Sequence, residues 1–205
     1  MRVKLLISAL VFIASTALAS AQTDVALSLY GAFSGVTNNG GVTVSPSNSA
    51  GGIVELRHIA NPILGFEGTY SFNRANQTYT STVAVTCAQG VTCPSTASVS
   101  ANAHEITVNW VPSVHVANFR PFGVLGVGAL FAVPQTGQTS VVTQTSTKAV
   151  YVYGAGLDWG LLPHIGLRLQ YRGNLYKTPD VTRLFTSIDT FRHTAEPMIG
   201  IYFRL

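Results

Sequence analysis

Apolar and polar residues alternate with a period of two through most of this chain. The last stretch, EPMIGIYFRL, shows it most plainly: Ile199, Ile201, Phe203 and Leu205 alternate with Met198, Gly200, Tyr202 and Arg204. Successive side chains of a strand point to opposite faces, so this row makes one face apolar and the other mixed. The same reading predicts strands over residues 24–34, 51–59, 63–73, 105–111, 121–133, 150–159, 165–175 and 192–205. In the first, Val25, Leu27, Leu29 and Phe33 share a face. In the third, Leu64, Phe66, Tyr70 and Phe72 stand opposite Glu67, Thr69, Ser71 and Asn73. Ile106, Val108 and Trp110 oppose Glu105, Thr107 and Asn109 in the fourth, and Leu167, Leu169, Tyr171 and Leu175 oppose Arg168, Gln170, Arg172 and Asn174 in the seventh. The fifth, PFGVLGVGALFAV, is apolar on both faces, which leaves its orientation open.

The connections alternate long and short. Residues 35–49, 75–103, 134–147 and 177–191 are long and polar, whereas Ala60-Asn61-Pro62, 112–120 and 160–164 are turns. The Thr and Val content of 75–103 implies that its flanking strands continue beyond any membrane. A last strand that carries its apolar row to Leu205 must pair on both edges and bury that row. In lipid only a closed barrel satisfies a strand's backbone on both sides. An even number of strands with long loops at one end and short turns at the other is the pattern of outer-membrane barrels. The expected fold is therefore all-β: an eight-stranded antiparallel up-and-down transmembrane β-barrel.

Composition agrees. Charged residues are only 10% of the chain, against about 25% in soluble domains. Mean hydropathy is +0.32, yet after the N-terminus no apolar run approaches the ~20 residues of a spanning helix. The apolar content is spread by alternation. At the N-terminus, Arg2 and Lys4 precede an apolar stretch over 5–18 and then Ala19-Ser20-Ala21, the form of a signal peptide. The run is short for a retained anchor. Residues 1–21 are expected to be removed, leaving a barrel domain over 22–205 in the cell outer membrane, with outer-membrane lipid as its partner. The formal charge of +4 includes Arg2 and Lys4, so no nucleic-acid partner is expected.

Parity places Glu55, Arg57, Glu67, Glu105, Asp158, Arg168, Arg172 and Glu196 opposite the apolar face, in the lumen. Hairpin register brings Arg57 toward Glu67, Asp158 toward Arg168 and Arg172 toward Glu196. An arginine facing lipid would cost about 2–4 kcal/mol at the midplane, and in a narrow lumen each must pair. Eight strands enclose little more than their own side chains, which favours a salt-bridged plug over a selective pore. Two histidine constellations are the nearest candidates for catalysis: His193 with Thr194 and Glu196, which lacks a serine at suitable spacing, and His104 with Glu105, which point to opposite faces. His58 is expected near the interface. No catalytic residue, cofactor or metal site is expected. Cys87 and Cys93 follow a secretion signal, so a disulfide is expected, closing a short loop for about 2 kcal/mol of chain entropy.

The pieces RPFGVLGVGALF, YGAGLDWGLLPHIGLRLQYR and HTAEPMIGIYFRL resemble the second half of the outer-membrane protein A-like, or porin-superfamily, eight-stranded barrels. The resemblance runs over residues 22–205 and most clearly over 120–205. It implies that barrel-assembly machinery recognises the C-terminal strand. Family members often end in Phe; this chain ends in Leu205, with Phe203 two residues earlier. No peptidoglycan-binding domain is expected after the barrel, so the anchoring role of longer relatives is not implied. The expected role is a structural or surface-interaction barrel. The alternatives are a low-conductance pore or carrier of small molecules and, behind it, a lipid-modifying enzyme. A soluble lipocalin-like barrel would need the opposite polarity on its two faces.

Thiol labelling of the non-reduced protein is expected to find neither Cys87 nor Cys93 free. Replacing both with Ser is expected to leave assembly intact. A double variant that fails to insert would place this segment inside the barrel.

Overall fold

The computed structural model describes residues 22–81, 95–135, 142–182 and 189–205. Residues 1–21, expected as a signal peptide, and both cysteines lie outside the described residues. Ten strands occur: β1 (Gln22–Ser34), β2 (Thr37–Asn39), β3 (Val42–Pro46), β4 (Ser49–Ile59), β5 (Gly65–Ser81), β6 (Thr96–Trp110), β7 (Phe119–Pro134), β8 (Ser146–Gly160), β9 (Ile165–Lys177) and β10 (Phe191–Arg204). Eight of them form the wall. β1 pairs antiparallel with both β4 and β10, β5 pairs with β4 and β6, and each later strand pairs with the next. The first and last strands meet from Asp24↔Arg204 to Ser34↔Thr194, so the barrel closes.

The wall strands alternate inward buried and outward exposed side chains, most regularly in β1, β4 and β10. The exposed row is the apolar one: Leu27, Leu29, Val54, Leu56, Ile106, Val108, Leu169, Ile199 and Ile201 all face outward. A soluble barrel has the reverse polarity; this one is built to be solvated by lipid. β7, whose orientation the sequence left open, turns Arg120, Phe122, Val124 and Leu130 inward and Leu125 and Val127 outward. Near the short-turn end, Phe66, Trp110, Phe119, Trp159 and Phe203 form an exposed aromatic ring. Trp110 Nε1 donates to the Ile63 carbonyl at 2.6 Å, and the Phe119 and Trp159 rings stack at 5.9 Å. Such rings suit the boundary between hydrocarbon and headgroups.

The long-loop end differs from the sequence reading in one hairpin. Residues 35–49, expected as a polar loop, contain the β2–β3 hairpin, turned by Gly40 and Gly41 at φ 57° and 78°. Both positions need positive φ, as a two-residue type I′ turn does. β3 then continues β4 along the same edge of β5: Pro46 opposes Gln77 and Gly51 opposes Asn73. β5 and β6 run past 73 and 105 to Ser81 and Thr96, the continuation that the Thr and Val content of 75–103 implies. Their outward row there is Asn76, Thr78 and Thr80 facing Ser100, Ser98 and Thr96. Hydroxyls and amides in place of leucines mark a sheet that has left the hydrocarbon.

A strap of the last long connection folds into the outer mouth. Tyr79 Oη donates to the Pro179 carbonyl at 3.0 Å and accepts from Val181 N at 3.2 Å. Burial pushes the Tyr79 phenol up to about 12, so it keeps its proton and the donor role. Lys148 Nζ meets Asp180 at 3.2 Å, and Val181 joins Val42, Val44, Tyr79, Val99, Ala101 and Ala132 in a small apolar core above the lumen.

A closed barrel of this kind is expected to migrate differently in SDS gels before and after boiling, and to remain in the membrane pellet through carbonate. Recovery as a soluble periplasmic protein would exclude it.

Candidate functional site

The interior is where this sequence concentrates its chemistry. Among the described residues, Asp24, Glu55, Glu67, Glu105, Asp158 and Glu196, with Arg57, Arg120, Arg168, Arg172 and Arg192, are all at most 5% exposed. Alternation alone puts them there: each occupies the inward parity of its strand, where lipid cannot reach.

Seven of these side chains form one cluster toward the short-turn end. Arg168 is its hub. Its Nε donates to Asp158 Oδ1 at 2.7 Å, Nη2 lies 2.8 Å from Asp24 Oδ1, and Nη1 lies 3.3 Å from Glu55 Oε2. Arg120 Nη2 bridges Asp24 and Asp158, 2.6 Å from each. Arg57 donates through Nε to Glu67 at 2.8 Å and reaches Asp158 at 3.3 Å. Two aromatic rings separate the cations. Arg57 lies 4.0 Å from the Phe122 centroid and Arg168 5.5 Å from it, while Arg120 and Arg168 lie 5.9 and 5.6 Å from Tyr202. The Phe122 ring lies over Gly156 on the next strand, in space that any side chain there would fill. Neutral groups complete the set: Ser28 donates to Glu55 at 3.2 Å and Asn109 to Glu67 at 3.0 Å.

A second, smaller cluster sits above the first. Arg172 meets Glu105 at 2.6 Å and lies 4.0 Å from Glu196. Asn174 Nδ2 donates to Glu105 at 3.0 Å. Above it, a cavity of about 50 Å³ is lined by Tyr30, Asn73, Glu105, Thr194 and Glu196 and capped by Pro179. That is room for a few waters. Arg192, higher still, is buried against neutral partners only, donating to Gln77 Oε1 at 2.9 Å and Thr37 Oγ1 at 3.2 Å.

The eight charges that parity assigns to the lumen thus fall into these two clusters. Arg57 stands beside Glu67 and Asp158 beside Arg168, at the register positions of their hairpins. Arg172 opposes Glu196 across the β9–β10 register, but its short contact is to Glu105 on the far side of the barrel. Three interior charges were missed. Asp24 and Arg192 stand on readable inward parities, opposite Val25 and in step with Thr194 and Glu196. Arg120 was placed in a turn; β7 begins at Phe119 and carries it inward.

The histidine constellations do not assemble. His193 faces outward and pairs with Tyr153 Oη at 2.9 Å, while Thr194 and Glu196 face inward. His104 is likewise outside, 2.9 Å from Tyr70 Oη, with Glu105 inside. His58, also outward, meets Thr23 Oγ1 at 2.9 Å.

A family model described as outer membrane protein beta-barrel domain matches residues 5–192. Among solved structures, the chain is similar to Neisserial surface protein A, with a TM-score of 0.57 and 13% identity over 91% of this chain and 99% of that one. It is similar to OprG of Pseudomonas aeruginosa, with a TM-score of 0.53 and 11% identity over 91% and 96%. It is also similar to Ail, the attachment invasion locus protein of Yersinia pestis, in complex with the heparin analogue sucrose octasulfate, with a TM-score of 0.51 and 14% identity over 91% and 99%. At these identities the likeness is one of fold. No curated protein matches the chain.

Arg168→Ala strips Asp24, Glu55 and Asp158 of a shared partner and is expected to lower unfolding stability by about 3–5 kcal/mol. Arg168→Met combined with Asp158→Asn is expected to recover only part of that loss, because Asp24 and Glu55 stay short of a cation. Additive effects well under 1 kcal/mol, with a change in ion selectivity, would mark a pair standing in open water. A double-mutant cycle on urea unfolding, run beside conductance, separates the two.

Proposed function

Because the chain belongs to the family of outer-membrane β-barrel domains, we propose that it is a closed structural barrel that works through its outer surface. One observation carries this reading. The lumen is crossed by a continuous set of side-chain contacts from Asp24 on β1 to Arg168 on β9 and Asp158 on β8, all of them fully buried. Guanidinium groups wedged between carboxylates and the Phe122 and Tyr202 rings fill the section an ion would need. The strap from Pro179 to Thr182 covers the mouth above.

The outer connections give the chemistry of a partner. Three of the four, residues 35–48, 75–103 and 135–147, contain no charged residue and are rich in Thr, Ser, Asn and Gln, while 177–191 carries Lys177, Asp180, Arg183 and Asp189, which balance. Ail, in its structure, is in complex with a heparin analogue. The neutral connections of this chain fit a polyanion poorly; they suit a partner met through hydrogen bonds, a neutral glycan or a protein surface. The same reading includes export by a leader cleaved after Ala21 and a Cys87–Cys93 disulfide in the second outer loop. It also includes recognition of β10 by the assembly machinery.

Planar-bilayer recording of the refolded protein tests the closed lumen. The expected record is flat at voltages at which porins conduct. Steady, ion-selective steps would replace this reading with the low-conductance pore.

A further inference from the structure

The first two short turns are tied to each other. In the turn between β4 and β5, Asn61 Oδ1 accepts from Ile63 N at 3.0 Å and from Leu64 N at 2.8 Å, the local bonding that makes Asn a turn residue. The connection between β6 and β7 folds across to it, and Ser113 N donates to the Pro62 carbonyl at 2.8 Å. A cavity of about 200 Å³ is held between them. Its floor is the end of the lumen. Arg120 and Ser113 line it, 4% and 6% exposed, together with Gln22, which continues the inward parity of Asp24. Ile59, Ala60 and Pro62 make an apolar side, and the exposed Ala60 and His115 stand at the opening. The cavity thus opens on the barrel's end, where the short turns face the periplasm, and not on its lipid-facing flank.

Every polar side chain of this lining can donate. Arg120 spends Nε on Asp158 and Nη2 on Asp24 and Asp158, and its Nη1 has no hydrogen-bond partner among the described residues. Gln22 Nε2 has none either. Asn61 has spent its oxygen on the turn, so Nδ2 is what it offers. The Ser113 hydroxyl and the His115 ring add a donor each. None of the described residues lining the cavity is acidic. Asp24 and Asp158 are turned to Arg120 and Arg168. Arg204 stands opposite Asp24 in the register, with its Nε unpartnered. With Arg57, Arg120 and Arg168 it sets four arginines against the carboxylates of Asp24, Glu55, Glu67 and Asp158. No excess of negative charge therefore repels an anion at this end.

We propose that this cavity binds a small monocarboxylate with an apolar stem, taken up from the periplasmic side. The carboxylate accepts from Arg120 Nη1, Gln22 Nε2 and the Ser113 hydroxyl on the floor, where hydrogen bonds to a charged group are the strong ones. It thereby satisfies two buried donors that the protein leaves unpaired, each of them costly while it stays so. The stem lies against Ile59, Ala60 and Pro62. A closed apolar cavity of about 150 Å³ holds benzene, so about 200 Å³ has room for a ring that carries a carboxylate. An inorganic anion would meet the donors but leave the apolar side bare. Above the floor the lumen is filled by the cluster to which Arg120 belongs, so the ligand enters and leaves by the same opening.

Calorimetric titration of the refolded chain tests the site, with benzoate, benzamide and inorganic phosphate as probes. Benzoate is expected to saturate one site, and the other two to bind at least tenfold more weakly. Gln22→Leu removes a floor donor without touching the charge cluster. It is expected to weaken benzoate roughly tenfold, the size of one hydrogen bond to a charged group. Ala60→Trp obstructs the opening and is expected to abolish binding. Heat-dependent gel migration checks that each variant is folded, and Ser113→Ala serves if Gln22→Leu does not assemble. Benzamide binding as tightly as benzoate overturns the carboxylate assignment, and phosphate doing so overturns the apolar stem. Absence of benzoate binding, or an unchanged affinity in the folded floor and opening variants, overturns the site.

Discussion

Charge that has left water must find charge. In this barrel the lipid outside and the narrowness inside leave six carboxylates and four arginines of the lumen chiefly one another for partners, and only Arg192 among the described interior arginines rests on neutral groups. Removing one partner from such a set costs several kcal/mol, whereas the intact set contributes little net stability over a well-filled apolar core. The network is therefore better understood as a specification than as a source of strength. It fixes which face of each strand is inside, since a one-residue slip would turn every one of these groups to lipid. The positions of Phe122 and Tyr202, and the bare Gly156 that gives Phe122 its room, follow from the same need to keep the guanidinium groups apart and held.

The outer half obeys a different rule. Beyond Phe72 and His104 the strands meet water, and their outward row no longer needs to be apolar. Inward, Val42, Val44, Tyr79 and Val99 build a core of ordinary kind, with Val181 of the strap as its lid. The chain thus carries two solvation regimes stacked on one sheet: an inverted barrel below and a conventional small β-domain above. The β2–β3 hairpin belongs to the second, and its positive-φ glycines are the turn that such a hairpin requires.

How much of this was legible in the sequence follows from these two rules. In the inverted part, lipid enforces period two so strictly that the wall strands, their faces and eight interior charges could be placed by parity. Asp24 and Arg192 were equally readable there. Arg120 was hidden because β7 is apolar on both faces, its inward Phe122 and Val124 serving the cations rather than the lipid. In the outer part the alternation loses its contrast: with Asn76, Thr78 and Thr80 outside and Ala75 and Gln77 inside, composition implied that the strands continue but parity could not say how far. Partners across the barrel were beyond reach in principle. Register gives neighbours, so it offered Glu196 for Arg172, while the shorter contact to Glu105 depends on how the closed ring is filled.

The contact between Asp24 and Arg168 joins residues 144 positions apart, and that between Asp24 and Arg120 joins residues 96 apart. Neither can exist in a partly built sheet. An unclosed intermediate with its first strands in the bilayer would hold Asp24 without its cations, and one with its later strands inserted would hold Arg168 without Asp24. Each is a charge in hydrocarbon. The contacts that only a closed ring can make are thus the ones that keep its charges out of lipid, and the seam between the first strand and the last is where the whole interior is completed.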